Sequence, residues 1–188
     1  MPNYVTNVLT LHGDPAQIRA MLEAIQYDDL GIGSVDFNKI IPMSESLDIE
    51  AGSQTDTGLK AYQDFIEVYT LGGTKLGKAA WNNIRLYGVP TWYEWCNQHW
   101  GTNWNAYGYG EAKVNYKDGD VLNFLAAGSA PHPVMEKLAE MFPMLRSSTS
   151  GQMSTSAKTV ADTAIRTEYG SKNGLPKQSE RPLISDVN

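Results

Sequence analysis

The segment "NYVTNVLTLHGDPAQIRAMLEAI", residues 3–25, constrains the fold more than any other stretch. Its first part alternates. Tyr4, Thr6, Val8 and Thr10 fall on one side and Val5, Asn7, Leu9 and Leu11 on the other, the period-2 pattern of a strand. The period then switches to that of a helix. Asp14 stands as N-cap, Pro15 takes the first helical position, and Ile18, Met21, Leu22 and Ile25 recur at i, i+3, i+4 and i+7. The unit is strand, tight turn, helix, so the rest of the chain has to complete a helix layer on a sheet.

Later segments read the same way. "SVDFNKIIPM", residues 34–43, carries Val35, Phe37, Ile40 and Ile41 before Pro42 and is expected to be a second strand. Residues 44–58, rich in Ser, Glu, Asp and Gly, read as an exposed excursion. Leu59, Tyr62, Phe65, Ile66 and Tyr69 have helical spacing with Gly72-Gly73 as a stop, and Leu76, Ala80, Ile84 and Tyr87 mark another helix ending at Gly88. "AYGYGEAKVNYKDGDVLNFLAAG" holds two short runs joined at Asp118-Gly119, a hairpin signal in which both turn residues take positive φ. "APHPVMEKLAEMFP" is an amphipathic helix with Val134, Leu138, Met141 and Phe142 as its buried stripe. The order β-α-β, helical insertion at about 54–100, β-β-α needs one more strand. With it, the chain is an α+β, ferredoxin-like split β-α-β sandwich, an antiparallel sheet with helices on one face.

The stretch "WYEWCNQHWGTNWNAYGYG", residues 92–110, holds four of five tryptophans and the single cysteine. Thr91 is its N-cap and Glu94 the capping-box partner. On that helix Trp92, Trp95 and His99 share one face and Tyr93, Cys96 and Trp100 another, which makes it a helix wrapped on most sides. Gly101 is the natural residue to end it, Trp104 is expected to pack back on it, and Asn97, Asn103 and Asn105 are near enough to serve the aromatic N–H and O–H groups. A core plug is the favoured reading. As a binding surface the block would use Trp92, Trp95, His99, Trp100, Asn103, Trp104 and Asn105.

Catalysis finds little footing. Cys96 and His99 at i, i+3 could meet, but no Lys or Arg lies between Arg85 and Lys113 to favour a thiolate. His12, His99 and His132 lack metal-ligand spacing, and no phosphate-loop pattern or cofactor motif occurs. Residues 1–146 carry 10 Lys/Arg against 17 Asp/Glu, a net −7 that repels phosphate backbones, so nucleic acid is not the favoured partner. A lone cysteine, no secretory leader and no span of roughly 20 apolar residues predict a soluble, cytoplasmic protein with no membrane association.

The start "MPN..TN", the "DFNKIIPM", the "WYEWCNQHWGTNWNAY" block with its W-x-x-x-x-WGT-x-WN signature at Trp95–Asn105, and "SAPHPVMEKLAEMFP" are together similar to the YubB family. These are ferredoxin-like proteins of unknown function from enterobacterial plasmids, prophages and phage-like islands, and the resemblance spans Met1 to about Leu145. It implies the ferredoxin-like fold and brings no established activity and no catalytic residues. The implied role is that of a mobile-element binding or regulatory module acting on a host or element-encoded protein. A nucleic-acid-binding factor, or an enzyme with a pocket beside Trp92–Trp104, is the alternative. Family members have MPNWC where this chain has Tyr4-Val5, Lys where it has Asn103, and Trp where it has Gly128, which should leave a hole.

Residues 147–188, rich in Ser and Thr and without sustained periodicity, read as a disordered tail. The family instead continues with a strand and a segment like "F-x-HEWADE". If Arg146 to Met153 are coded CGT-TCA-TCC-ACG-AGT-GGG-CAG-ATG, one choice among synonyms, the frame opening at the third base of the first codon would read Phe-Ile-His-Glu-Trp-Ala-Asp. The expectation is an out-of-frame tail replacing the family's last strand.

Overall fold

The computed structural model of the chain describes residues 3–63, 71–109 and 115–154, of which 71–74 and 146–154 are described by backbone alone. In chain order the elements are β1 (Tyr4–His12), α1 (Pro15–Ile25), α2 (Phe37–Ile40), a 3-10 turn (Glu45–Leu47), α3 (Ser53–Gln63), α4 (Leu71–Tyr87), α5 (Trp92–His99), β2 (Asp120–Ala127), α6 (His132–Met141) and β3 (Arg146–Ser154). The architecture is mixed α+β.

β1 lies in the middle of the sheet, in the order β2-β1-β3, and pairs antiparallel with both neighbours. Val5, Asn7, Leu9 and Leu11 are buried, as the alternation demands, while Tyr4, Thr6 and His12 are exposed. β2 repeats the pattern, with Leu122, Phe124 and Ala126 inside and Val121 outside. Onto the inner face pack Ile18, Met21, Leu22 and Ile25 of α1 and Val134 and Leu138 of α6, in one core with Phe37, Leu47, Trp95 and Trp100. The Asp14 carboxylate accepts from the Ala16 N–H at 2.9 Å, so α1 starts where the cap and Pro15 place it.

Several expectations need correction. Residues 34–43 do not form a strand. The Asp36 carboxylate accepts from the Asn38 N–H at 2.9 Å, capping a single helical turn over Phe37–Ile40. A short apolar run fits either a strand or a buried helix, and here the local cap decides. Residues 44–58 are not a loose excursion, since Leu47 is wholly buried and Thr55 nearly so. The Thr55 hydroxyl lies 2.7 Å from a Glu50 carboxylate oxygen, which also accepts from the Thr55 N–H at 3.1 Å, and α3 begins at Ser53.

Gly72-Gly73 stop no helix and lie in the first turn of α4; the preceding residues 64–70, with Phe65, Ile66 and Tyr69, lie outside the described residues. At Asp118-Gly119 only Gly119 takes positive φ (83°), and Tyr116 (53°) is the other left-handed residue of that turn. The first run of that hairpin meets β2 at Tyr107, which exchanges two backbone hydrogen bonds with Leu125, and residues 110–114 lie outside the described residues. On α6, Met141 is exposed and Phe142 half-buried, so the buried stripe is narrower than its spacing suggests.

The tail boundary also moves. Residues 146–154 pair with β1 over its whole length, from His12 opposite Arg146 to Tyr4 opposite Ser154, so a strand stands where the disordered tail was expected to begin. A neighbouring central strand offers hydrogen bonds to any backbone that lies along it, whatever its side chains. Residues 155–188 lie outside the described residues.

Candidate binding site

The block at residues 92–109 divides into a buried anchor and a partly open edge. Thr91 caps α5. Its hydroxyl accepts from the Tyr93 N–H at 3.3 Å and donates to the Glu94 carboxylate at 2.5 Å. Trp95 and Trp100 are 6% and 2% exposed and meet edge to face at 5.4 Å. Trp100 meets Phe37 at 5.7 Å, Phe37 meets Phe124 of β2 at 5.9 Å, and the Trp100 indole N–H donates to the Ile41 carbonyl at 3.0 Å. This chain of rings ties α5 through α2 to the sheet. Edge-to-face pairs add roughly 0.5–1.5 kcal/mol each beyond their buried area.

The polar members are structural as well. Asn105 Oδ1 accepts from the Phe37 N–H at 2.8 Å and the Ala106 N–H at 2.9 Å, while its Nδ2 donates to Asp36 at 2.8 Å. One side chain therefore holds the start of α2 against the segment after α5. The Thr102 hydroxyl lies 2.9 Å from the Ala127 carbonyl and accepts from the Ala127 N–H at 3.2 Å, which fixes the same segment to the end of β2. Neither Asn97, which bonds the Tyr93 carbonyl, nor Asn105 serves an aromatic N–H as expected. Sequence reading missed Thr102 and Asn83; the Asn83 amide donates to the Ser46 and Pro90 carbonyls at 2.8 and 3.0 Å.

The Cys96 and His99 side chains do not form a catalytic pair. His99 stacks on Trp95, with centroids 4.3 Å apart and planes at 10°, and its Nδ1 lies 3.0 Å from the Trp95 carbonyl, to which it donates. Cys96 is buried, and that burial pushes its thiol up to about 12, the opposite of what a nucleophile needs. Among the described residues no three His, Cys, Asp or Glu side chains gather where they could hold a metal ion.

Gly101 ends α5 with φ of 73°, as its position foretold. Gly128 does not border a hole. It has φ of 88°, its N–H donates to the Asn3 carbonyl at 2.8 Å, and a Cβ there would lie 3.1 Å from the Asn103 amide. Asn103 and Gly128 therefore face each other.

Trp104 does not return to α5 as expected. Its ring meets Tyr107 at 6.3 Å, and Tyr107 meets Tyr4 edge to face at 5.9 Å. Tyr4 is exposed and Trp104 and Tyr107 are half-buried. Tyr4 stands opposite Ala127 and Tyr107 opposite Leu125, so the three rings share the outer face of the sheet, the one opposite the core. Gly108, at φ of 61°, lets the backbone pass over Leu125, where a Cβ would lie 2.6 Å from its side chain. The Tyr107 hydroxyl oxygen is inaccessible and has no hydrogen-bond partner among the described residues, and its pKa is raised, first by burial and then by Tyr4. Three aromatic rings, one exposed and two half-buried, therefore gather on this face.

Of the seven anticipated residues, Trp95, Trp100 and Asn105 belong to the anchor, Trp92 and His99 flank it half-buried, Trp104 reaches the outer side, and Asn103 faces Gly128. The patch residues Tyr4 and Tyr107 were not anticipated, although Tyr4 lies on the side of the alternating strand that had to face outward. No helix among the described residues is long and apolar enough to cross a membrane. Comparison with protein-family models, with curated proteins and with solved structures gave no match to this chain.

Proposed function

We propose that this chain is a non-enzymatic binding or regulatory module that docks a protein partner on the outer face of its sheet through Tyr4, Trp104 and Tyr107. The observation that carries the reading is the cluster of three touching rings on a face that no described helix covers, with Thr6 and Val121 exposed beside it. Aromatic side chains give large contact area at low entropic cost and dominate the centres of protein interfaces. The chain's net charge of −6 makes a protein a better partner than a phosphate backbone.

The strand order β2-β1-β3, with Tyr107 bridged singly to the outer edge of β2, is compatible with a split β-α-β sandwich. It supports the proposal of a ferredoxin-like fold and, with the sequence signatures, of a YubB-like protein from a mobile element acting on a host or element-encoded protein in the cytoplasm.

The test is capture from nuclease-treated host lysate by the full chain and by Trp104→Ala and Tyr107→Ala variants. A protein retained by the parent chain and lost by both variants, with thermal unfolding unchanged, is the expected result. Capture that survives both substitutions, or recovery of nucleic acid alone without nuclease, overturns the reading.

A further inference from the structure

β1 is the central strand, and its two neighbours fit it unequally. On the β2 side, buried Leu9 stands opposite Leu122 and buried Asn7 opposite Phe124. On the β3 side buried Leu11, Leu9 and Asn7 stand opposite Ser147, Thr149 and Gly151, and of the four buried positions Val5 alone stands opposite an apolar residue, Met153. Directly opposed residues are the unit of sheet stabilisation, and apolar or aromatic partners outrank serine and glycine at such positions. The ladder beside β1 is complete, while the residue types along it are poorly matched to a buried face.

A second observation points the same way. Asn7 is 0% exposed. Its Nδ2 donates to the Val5 carbonyl at 3.0 Å, but its Oδ1 has no donor among the described residues. A buried acceptor without a donor carries the full desolvation penalty of that group. The residue opposite it on this side is Gly151, which has no side chain to supply one.

We infer that the slot beside β1 is a strand-acceptor site for an extended segment of a partner protein. That segment runs antiparallel to β1, carries apolar residues at alternate positions opposite Leu11, Leu9 and Val5, places a hydroxyl or amide donor opposite Asn7, and takes the place of residues 146–154. Strand addition of this kind draws affinity from main-chain bonds and specificity from alternate side chains. The resident strand keeps the ladder of β1 satisfied until the partner arrives. It competes at the high effective concentration of a tethered segment, so only an incoming strand with better side-chain complementarity displaces it. Trp104 and Tyr107 lie by the β2 edge, away from the slot, while Tyr4 belongs to β1 itself opposite Ser154, so the Trp104 and Tyr107 variants test the patch without touching the slot.

The probe is a fluorescein-labelled peptide, Arg-Val-Thr-Leu-Thr-Ser-Thr-Val-Ser, which in the register of β3 sets Val, Leu, Ser and Val opposite Leu11, Leu9, Asn7 and Val5. It is titrated into the full chain by anisotropy, with hydrogen exchange followed by mass spectrometry. Saturable binding is expected, with amides of 147–154 exchanging at least about tenfold faster in its presence while β1 stays protected. Changing the sixth peptide residue from Ser to Ala should weaken binding about fivefold against the parent chain and leave it unchanged against Asn7→Val. A peptide with the two alternate sets interchanged should not bind. Absence of binding at millimolar peptide, binding with unchanged exchange over 147–154, or an equal Ser-to-Ala loss in both chains overturns the inference.

Discussion

Asn105 shows how one side chain can carry more of the fold than its surroundings suggest. Its two bonds to backbone N–H groups and one to Asp36 join the chain after α5 to the start of α2, whose Phe37 is the middle ring between Trp100 and Phe124. Replacing it by Ala leaves the Phe37 N–H and Asp36 without this partner at a half-buried site. At about 1 kcal/mol for each lost bond, plus desolvation of what remains, Asn105→Ala should cost about 3 kcal/mol in urea unfolding, with binding surfaces unchanged.

Cys96 makes a second residue-level prediction. Burial raises its pKa from 9.0 to about 12, and Tyr27 is raised from 10.0 to about 12, first by burial and then by the charge of Asp36. In the unfolded chain these groups ionise at their ordinary values, whereas the folded chain keeps their protons. Their contribution to stability is therefore whole below pH 9 and is lost as pH rises from about 9 to about 12. Stability should fall across that window, and less steeply in Cys96→Ala and Tyr27→Phe. Thiol labelling of the parent chain at pH 8 should follow the unfolding equilibrium rather than solvent exposure.

At the scale of elements, α3 and α4 give a case where propensity and packing disagree. Gly77 lies inside α4, where alanine would favour helix by about 1 kcal/mol. A Cβ at this position would run into the backbone carbonyl of Gly58 on α3, which cannot yield as a flexible side chain would. The clash wins, so Gly77→Ala should destabilise by about 2 kcal/mol or more, seen as a lower midpoint in thermal unfolding.

The same pair shows what a sequence can and cannot reveal. β1 was legible from its period, α1 from period, cap and Pro15 together, and the start of α5 from the Thr91 cap. The turn at Phe37–Ile40 was not, because a short apolar run fits strand and helix alike, and the Asn105 bond that backs its local cap comes from 68 residues away. Nor was the α3–α4 crossing, since Gly58 reads as part of an exposed excursion and Gly77 as an ordinary helix position until their helices are seen to meet. The aromatic anchor could be read from Trp95 and Trp100, but the outward patch combines Tyr4 with Tyr107 from far along the chain, a pairing fixed by sheet register.

Over the whole molecule, the described helices bury one face of the sheet, the other carries the aromatic patch, and the two sides of β1 are unequally furnished. That inequality bears on the alternative frame after Arg146. Its seven residues, Phe-Ile-His-Glu-Trp-Ala-Asp, would fill positions 147–153, placing Phe opposite Leu11, His opposite Leu9, Trp opposite Asn7 and Asp opposite Val5. Phe adds apolar area where Ser147 stands, and Trp brings an N–H to the position opposite the unpartnered Asn7 carbonyl. The nucleotide sequence of the gene should therefore carry this reading one frame over, and a chain rebuilt in that frame from position 147 should unfold at higher urea, by about 2 kcal/mol. Other synonymous codons that abolish the reading, or a rebuilt chain no more stable than this one, would show that residues 146–154 are the strand the sheet was selected with.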